Sequence, residues 1–394
     1  MDRYGQLSQH HISTGYWNGD SRYQHLLSPN PFVLPEIWKP QLREIGKVVA
    51  GFQKGMPHIF ETLSVGKTNL HQNLFHVVKD GTYGMPIRPL DQKIPLVKVD
   101  IMVGEDDQLR IAEIDAYNPR ALAFMELLRD LYGLPSSSVA KYIAEEVRRR
   151  GKQKLLWVFA NHERFYLPGL LQYARVMLRD YQIQVNCVNA SELQKEDFCR
   201  AAVLIIPWGM RQPEEIPNRD LILDLYQRKP EKFIFPLVPW LGAKGLLGII
   251  SNPTGHEEIE QLVTDFPKRE LFRNYVPETA ILSQRLPCSI EWANAQNELV
   301  LKLSVSSGMK GVWFNGEARE QLPSLGKNKK PISIAQQYVH QKRLILETNE
   351  GEKECFARLI AYVNQFGVTS EVLFTGSPTH AVHGGTDSIL LPCV

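Results

Sequence analysis

The sequence lacks any long apolar run. None reaches the roughly 18 residues that a membrane-spanning helix needs, so no such span is expected. It also lacks net charge: 45 Lys and Arg stand against 43 Asp and Glu, leaving +2. That balance gives no whole-chain electrostatic case for nucleic acid or an anionic membrane as partner. Cysteine is scarce, with Cys187, Cys199, Cys288, Cys355 and Cys393 scattered and no Cys-x-x-Cys pair. This argues against a disulfide framework or a structural zinc site and for free thiols in a reducing cytosol. The opening residues, Met-Asp-Arg-Tyr-Gly-Gln-Leu-Ser, hold no apolar core, so a secretory signal is not expected and a cytoplasmic location is. No Gly-x-Gly-x-x-Gly fingerprint appears, which disfavours a nicotinamide dehydrogenase. No Ser–His–Asp arrangement or metal-spaced His/Cys cluster stands out either.

What is present is ordinary globular composition, 43% hydrophobic and 22% charged, over a length suited to two or three domains or one composite one. The first forty residues, rich in Pro, Ser, Asn, His and aromatics, read as an irregular arm, with turns around Ser28-Pro29-Asn30-Pro31. A helical pattern runs from Pro40 to about Leu63. The stretch Ile94 to Asp115 reads as a hairpin. Val97, Val99, Ile101 and Val103 take one face of the first strand; Lys98, Asp100 and Met102 take the other. The return strand, Gln108–Asp115, puts Ile111, Glu113 and Asp115 on a common face. Asn118 and Pro119 are a good helix start, and a second helix ends near Arg150.

From about 152 to 240, short apolar runs alternate with helical patterns: Lys154–Ala160, Leu167–Asp180, Ile183–Val188, Ala201–Ile206 and Phe233–Val238. This predicts an open α/β unit. Beyond Trp240 come short helices at Lys244–Ile250 and His256–Phe266, a strand–turn–strand at Glu298–Phe314, and β-compatible runs at Ile332–Val339, Leu344–Glu347 and Ser388–Pro392. The expected units are therefore 1–90, an N-terminal arm and helical region; 91–150, the acidic hairpin and its helices; 151–240, the α/β unit; and 241–394.

Four features could carry chemistry. A tight turn at Asp106-Asp107 pairs Asp100 with Glu113 and Lys98 with Asp115. Opposed side chains have Cβ atoms about 5 Å apart, where each like-charge pair costs about 3 kcal/mol at an effective dielectric of about 20. A divalent cation would relieve that cost, and Mg²⁺ takes a few carboxylate oxygens together with waters and phosphates. The alternative is a solvated hairpin face. Next, Lys302 precedes the Ser- and Gly-rich turn Ser304–Gly311, whose amides could cradle phosphate oxygens. No Gly-Lys-Ser/Thr opens a helix there, so this is not a Walker A loop, and an ordinary surface hairpin is the alternative. Third, Ile334–Val339 could offer backbone groups to a base or be a plain core strand. Fourth, His383-Gly384-Gly385-Thr386-Asp387 is either a substrate loop or a turn.

Taken in order, these pieces resemble the ATP-grasp superfamily, and most of all its rearranged branch of glutathionylspermidine synthase-like proteins. The segment V-D-I-M-V-G-E-D-D-Q-L-R-I-A-E-I-D-A-Y-N-P-R is similar to that branch's acidic motif, which lies N-terminal to the Lys and Gly motifs. K-L-L-W-V-F-A-N-H-E-R-F-Y resembles the opening of a pre-ATP-grasp domain. P-L-V-P-W-L-G-A-K-G-L-L-G-I-I resembles the segment that supplies the first nucleotide lysine. L-V-L-K-L-S-V-S-S-G-M-K-G-V resembles the second lysine and its glycine flap, and I-A-Q-Q-Y-V the adenine hinge. The likeness covers roughly 90–394.

The resemblance implies an α/β (α+β) ATP-grasp fold with a pre-ATP-grasp-like domain at 151–240 and ATP and Mg²⁺ as cofactors. It implies metal ligation by Asp100, Glu113 and Asp115, with Asn118 a substitute or merely a cap. Lys244 and Lys302 would hold ATP phosphates under a cover of Ser306, Ser307 and Gly308. Gln336, Gln337, Tyr338 and Val339 would frame adenine, and Arg120 would hold a phosphate or a substrate carboxylate, with Lys302 sharing the catalytic role. The implied activity is carbon–nitrogen ligation through an acylphosphate, joining a small-molecule or peptide carboxylate to an amine. A phosphotransferase and a non-catalytic nucleotide-binding module are the alternatives.

Overall fold

The structure is a computed structural model that describes residues 26, 28–82, 86–90, 93–116, 122–159, 167–199, 201–205, 217–305, 311–324, 332–380 and 388–394. Leu42, Ile45, Val49, Phe52, Met56, Ile59 and Leu63 fall on one helical face, and the chain buries that face in helix α1 (Trp38–Val65). The Thr68 hydroxyl accepts the His71 N–H at 3.0 Å and opens α2 (Asn69–Gly81), a helix the sequence pattern did not bring out.

Strands β1 (Leu96–Val103) and β2 (Leu109–Asp115) form the expected hairpin. Its register has two parts. Near the turn Met102 faces Arg110 and Ile101 faces Ile111; the pairing then steps over Ala112, so that Asp100 faces Glu113 and Lys98 faces Asp115. The expected acidic pairing is present, but a bulge produces it and not a tight turn. The bulge also corrects the expected face of β2. Ile111 sits with Ile101 on the apolar side, while Glu113 sits with Asp100 on the polar side.

Helices α3 (Leu122–Leu131) and α4 (Ser138–Arg149) follow, the latter capped by the Ser137 side chain. A parallel three-stranded sheet comes next, built from β3 (Lys154–Phe159), helix α5 (Leu167–Tyr181), β4 (Gln184–Asn189) and β5 (Ala202–Ile205) in the order β4–β3–β5. This is the α/β unit that alternation predicted. The strand expected at Phe233–Val238 reduces to one bridge between Val203 and Phe233. Pro236 and Pro239 have no N–H to continue a ladder.

After α6 (Arg219–Arg228), α7 (Gly245–Ser251), α8 (Glu257–Val263) and α9 (Arg269–Tyr275), a four-stranded antiparallel sheet forms. It holds β6 (Thr279–Leu282), β7 (Leu299–Leu303), β8 (Val312–Phe314) and β9 (Ser333–Gln337) in the order β6–β9–β7–β8, with α10 (Pro287–Ala295) and α11 (Asn315–Gln321) between its strands in sequence.

The chain then returns to the hairpin. Strands β10 (Arg343–Thr348), β11 (Gly351–Asn364), β12 (Thr369–Ser377) and β13 (Ile389–Pro392) complete an antiparallel sheet ordered β13–β12–β11–β1–β2, with β10 on β11. Residues 343–392 thus share a sheet with 96–115, although in sequence they follow the nucleotide-type motifs. Helix α1 packs against β2, β11 and β12. At its closest point, backbone meets backbone: a Cβ on Gly46 would lie 1.9 Å from the Gly367 carbonyl oxygen. The arm reaches the far edge, where Leu26 and Phe32 bridge to Ile389 and Cys393. Among the described residues no helix is long and apolar enough to cross a membrane.

Candidate active site

The hairpin and the four-stranded sheet are joined by a few specific contacts. Two main-chain bonds tie the segment after β9 to the hairpin: Glu105 N–H to the His340 oxygen at 2.9 Å and Lys342 N–H to the Val103 oxygen at 2.8 Å. Sequence positions two hundred residues apart are thereby joined. Lys302 on β7 reaches across so that its Nζ lies 3.4 Å from the Ala112 carbonyl oxygen, the bulge residue next to Glu113. Lys244, just before α7, places its Nζ 3.3 Å from Glu113 Oε1.

Glu113, Asp100 opposite it and both lysines therefore belong to one locus, with Asp115 two residues beyond Glu113 and opposite Lys98. Asp100, Asp115 and Lys244 are buried, and the Glu113 side chain is 29% exposed. Asp100 Oδ1 lies 2.9 Å from Lys98 Nζ, and Oδ2 lies 3.6 Å from Arg358 Nη1. Asp115 faces the Pro239–Gly242 turn, its Oδ1 3.6 Å from where a Gly242 Cβ would stand. Among the described residues no group of three or more His, Cys, Asp or Glu side chains is gathered to hold a metal unaided. The donor chemistry nonetheless suits a hard cation. Asp100 and Glu113 present oxygen from directly opposed positions, and Mg²⁺ needs only one or two carboxylates when phosphates and waters fill the remaining positions.

Electrostatics couple these groups. Burial pushes the Glu113 carboxyl up, but Lys244, Lys98 and Lys302 outweigh both burial and Asp100, so it is held below the usual range and stays ionised. Burial, reinforced by Lys244, lowers the Lys302 ammonium to about 8 against the pull of Glu113 and Asp100.

The expected adenine segment is mixed. Gln336 is buried, and its side chain accepts from Lys302 Nζ at 2.6 Å while donating to Thr279 Oγ1 at 3.0 Å. Gln337 is exposed and its N–H donates to the Glu278 oxygen; Tyr338 and Val339 are half-buried. Rings gather beside them. Tyr338 lies edge-on to Phe314 and His340, and His380 stands 4.9 Å from Phe314 and 6.0 Å from Phe356. Asn118, Arg120, Ser306, Ser307, Gly308 and the loop His383–Asp387 lie outside the described residues.

Sequence reasoning passed over Arg358 and saw Ser304 only as the start of a phosphate-cradling turn. Arg358 sits on β11, a strand that was not anticipated, and its Nε has no hydrogen-bond partner among the described residues. The alternation Phe356, Arg358, Ile360, Tyr362 was the available signal. Ser304 is fully buried at the end of β7; its Oγ accepts the Gly245 N–H at 2.9 Å and its carbonyl oxygen the Lys244 N–H at 2.8 Å. Helix α7, and with it Lys244, is pinned to the strand that carries Lys302.

No family model matches the chain, and no curated protein does. Among solved structures it is similar to a glutathione synthetase-like effector from Globodera pallida in its apo form. That likeness has a TM-score of 0.57 at 12% identity and covers 100% of this chain and 97% of the other. The chain thus has a mixed α/β fold that it shares along its whole length with that structure.

Proposed function

We propose that this protein is an ATP-dependent ligase that joins a carboxylate to an amine on a small molecule or peptide. The observation that supports this reading most is the convergence of Lys244 and Lys302 on the hairpin beside the Asp100–Glu113 pair. Phosphoryl transfer asks a protein for positioning and for positive charge on the β- and γ-oxygens, not for a covalent nucleophile. Lys244 and Lys302 provide that charge. Asp100 and Glu113, with Asp115 alongside, are the groups that would hold Mg²⁺, which when bound adds charge to the triphosphate. The flat rings of Phe314, Tyr338 and His380 suit the edge of a purine base.

The substrate carboxylate oxygen attacks the γ-phosphorus, the bond to the β-phosphate oxygen breaks, and ADP leaves. The amine nitrogen then attacks the acyl carbonyl, inorganic phosphate departs, and the amine proton passes to solvent. Arg358 and Lys98, which lie beside Asp100, would orient the incoming carboxylate. The five free thiols fit the cytoplasmic setting expected for this chemistry.

The test is a library of carboxylates and amines screened for ADP release, with mass spectrometry of the product. Amine-dependent ADP release with a product lighter by one water than its two parts is expected. Release without an amine, with a phosphorylated product, makes the protein a phosphotransferase instead. Nucleotide binding with no turnover across the library makes it a binding module.

A further inference from the structure

Lys302 is not simply an exposed cation at the end of a strand. Its ammonium donates to Gln336 Oε1 at 2.6 Å, and Gln336 Nε2 donates to Thr279 Oγ1 at 3.0 Å. The Thr279 hydroxyl donates to the Pro277 carbonyl oxygen at 2.7 Å, and the Thr279 N–H donates to Ser251 Oγ at 3.1 Å. Gln336 is 1% exposed and Thr279 0%.

The direction of every bond in this chain follows from its end. The Pro277 carbonyl can only accept, so the Thr279 hydroxyl spends its one proton there and must accept from Gln336. The Gln336 amide then has its nitrogen toward Thr279 and its oxygen toward Lys302. The flipped amide would set NH₂ against an ammonium, two donors with no acceptor. Thr279 therefore selects the amide orientation that Lys302 needs. Ser251 is the last residue of α7, the helix that follows Lys244, so the same threonine also anchors the far end of that helix.

We infer that Thr279 and Gln336 form a buried positioning relay for Lys302, which fixes the lysine amine toward the cleft and keeps it supplied with a neutral acceptor. Both are assigned to act through Lys302. The other groups facing Lys302 are Glu113 and Asp100 on the hairpin, Lys244 before α7, and the Ala112 carbonyl. The first two attract it and Lys244 repels it. A neutral oxygen from Gln336 gives the partly buried ammonium an acceptor without adding another carboxylate to the site. The role assigned to Lys302 rests on the ligase reading above; the relay itself does not.

The test uses the full chain with Thr279→Val, a nearly isosteric change, and Gln336→Leu and Gln336→Glu. The first readout is the rate at which an amine-acylating reagent labels Lys302 near neutral pH, followed by peptide mass spectrometry with Lys244 as internal reference. Labelling of Lys302 is expected to rise about 5-fold in Thr279→Val and about 10-fold in Gln336→Leu, as loss of one buried hydrogen bond to a charged group implies. Gln336→Glu, which keeps an acceptor, should label no faster than wild type. Unchanged labelling in Thr279→Val, or an equal rise at Lys244, overturns the relay. Should Gln336→Leu fail to fold, Thr279→Val carries the test alone. The second readout is Mg·ATP affinity by calorimetry, with and without Lys302→Met. Thr279→Val should weaken binding several-fold in the wild-type background and not at all beside Lys302→Met; equal weakening in both overturns the relay. Wild-type protein that does not bind ATP overturns the ligase reading, while the labelling result still decides the relay.

Discussion

Asp100 stands directly across the hairpin from Glu113 because the strand pairing skips Ala112. Without the bulge, the pairing near the turn would continue and Asp100 would face Ala112, with Glu113 turned to the apolar side. One inserted residue therefore decides whether the two carboxylates share a face.

Glu113→Gln keeps the shape and removes the charge that Lys244 and Lys302 answer. ADP-forming turnover should fall by about 10²-fold or more, in the range found when a single transition-state electrostatic partner is deleted. The fold should survive, with circular dichroism and cooperative melting like wild type, since the side chain is 29% exposed. Turnover like that of wild type would sink the metal assignment.

The pH dependence has a defined sign. Lys302 in the folded protein titrates at about 8, below its ordinary 10.5. ATP affinity should hold up to about 8 and fall above it, at most tenfold per pH unit, as the ammonium is lost. Lys302→Met should abolish that limb. Stability moves the other way: between 8 and 10.5 the unfolded chain retains a proton that the folded chain has released, so this group's contribution to stability rises with pH across that window. Calorimetric titrations and denaturant melts at a series of pH values check both.

Gly245→Ala places a Cβ 2.7 Å from Ser304 Oγ and 2.9 Å from Val77. The Ser304 hydroxyl that accepts the Gly245 N–H and the Val77 side chain must give way, and the start of α7 beside Lys244 shifts with them. ATP affinity should drop about tenfold or more, because small displacements of a positioned charge are costly. A melt beside the binding titration separates this from a general loss of stability.

Arg358→Gln removes a guanidinium on β11 that lies 3.6 Å from Asp100. The KM for the carboxylate substrate should rise about tenfold or more, as for loss of a charge-assisted bond, while the KM for ATP stays within about twofold. An equal rise in both would reassign the residue to the nucleotide.

Gly46→Ala concerns the frame. Its Cβ would overlap the Gly367 backbone oxygen, and neither backbone can yield without moving α1 or the β11–β12 turn. Urea unfolding should show a loss of about 2 kcal/mol or more, the scale of forced overpacking.

The hairpin, its acidic pairing and the parallel α/β unit were legible in the residues, because each rests on local periodicity or on a short run of distinctive groups; Lys244 was singled out only by the family resemblance. The long strands β11 and β12 were not. In Gly351–Asn364, charge at one end passes into apolar residues on both faces at the other, so no single period marks it. The Ala112 bulge was invisible too, since the correct pairing could be had from a wrong turn.

The sequence by itself determined the chemistry on offer: two lysines, an acidic hairpin, no covalent nucleophile in a recognisable setting. Only the tertiary structure decided where it meets. A sheet completed by strands from the far end of the chain holds the hairpin against β7. There Gln336 sits against Lys302, because a half-buried ammonium needs an oxygen partner and Thr279 turns the Gln336 oxygen toward it.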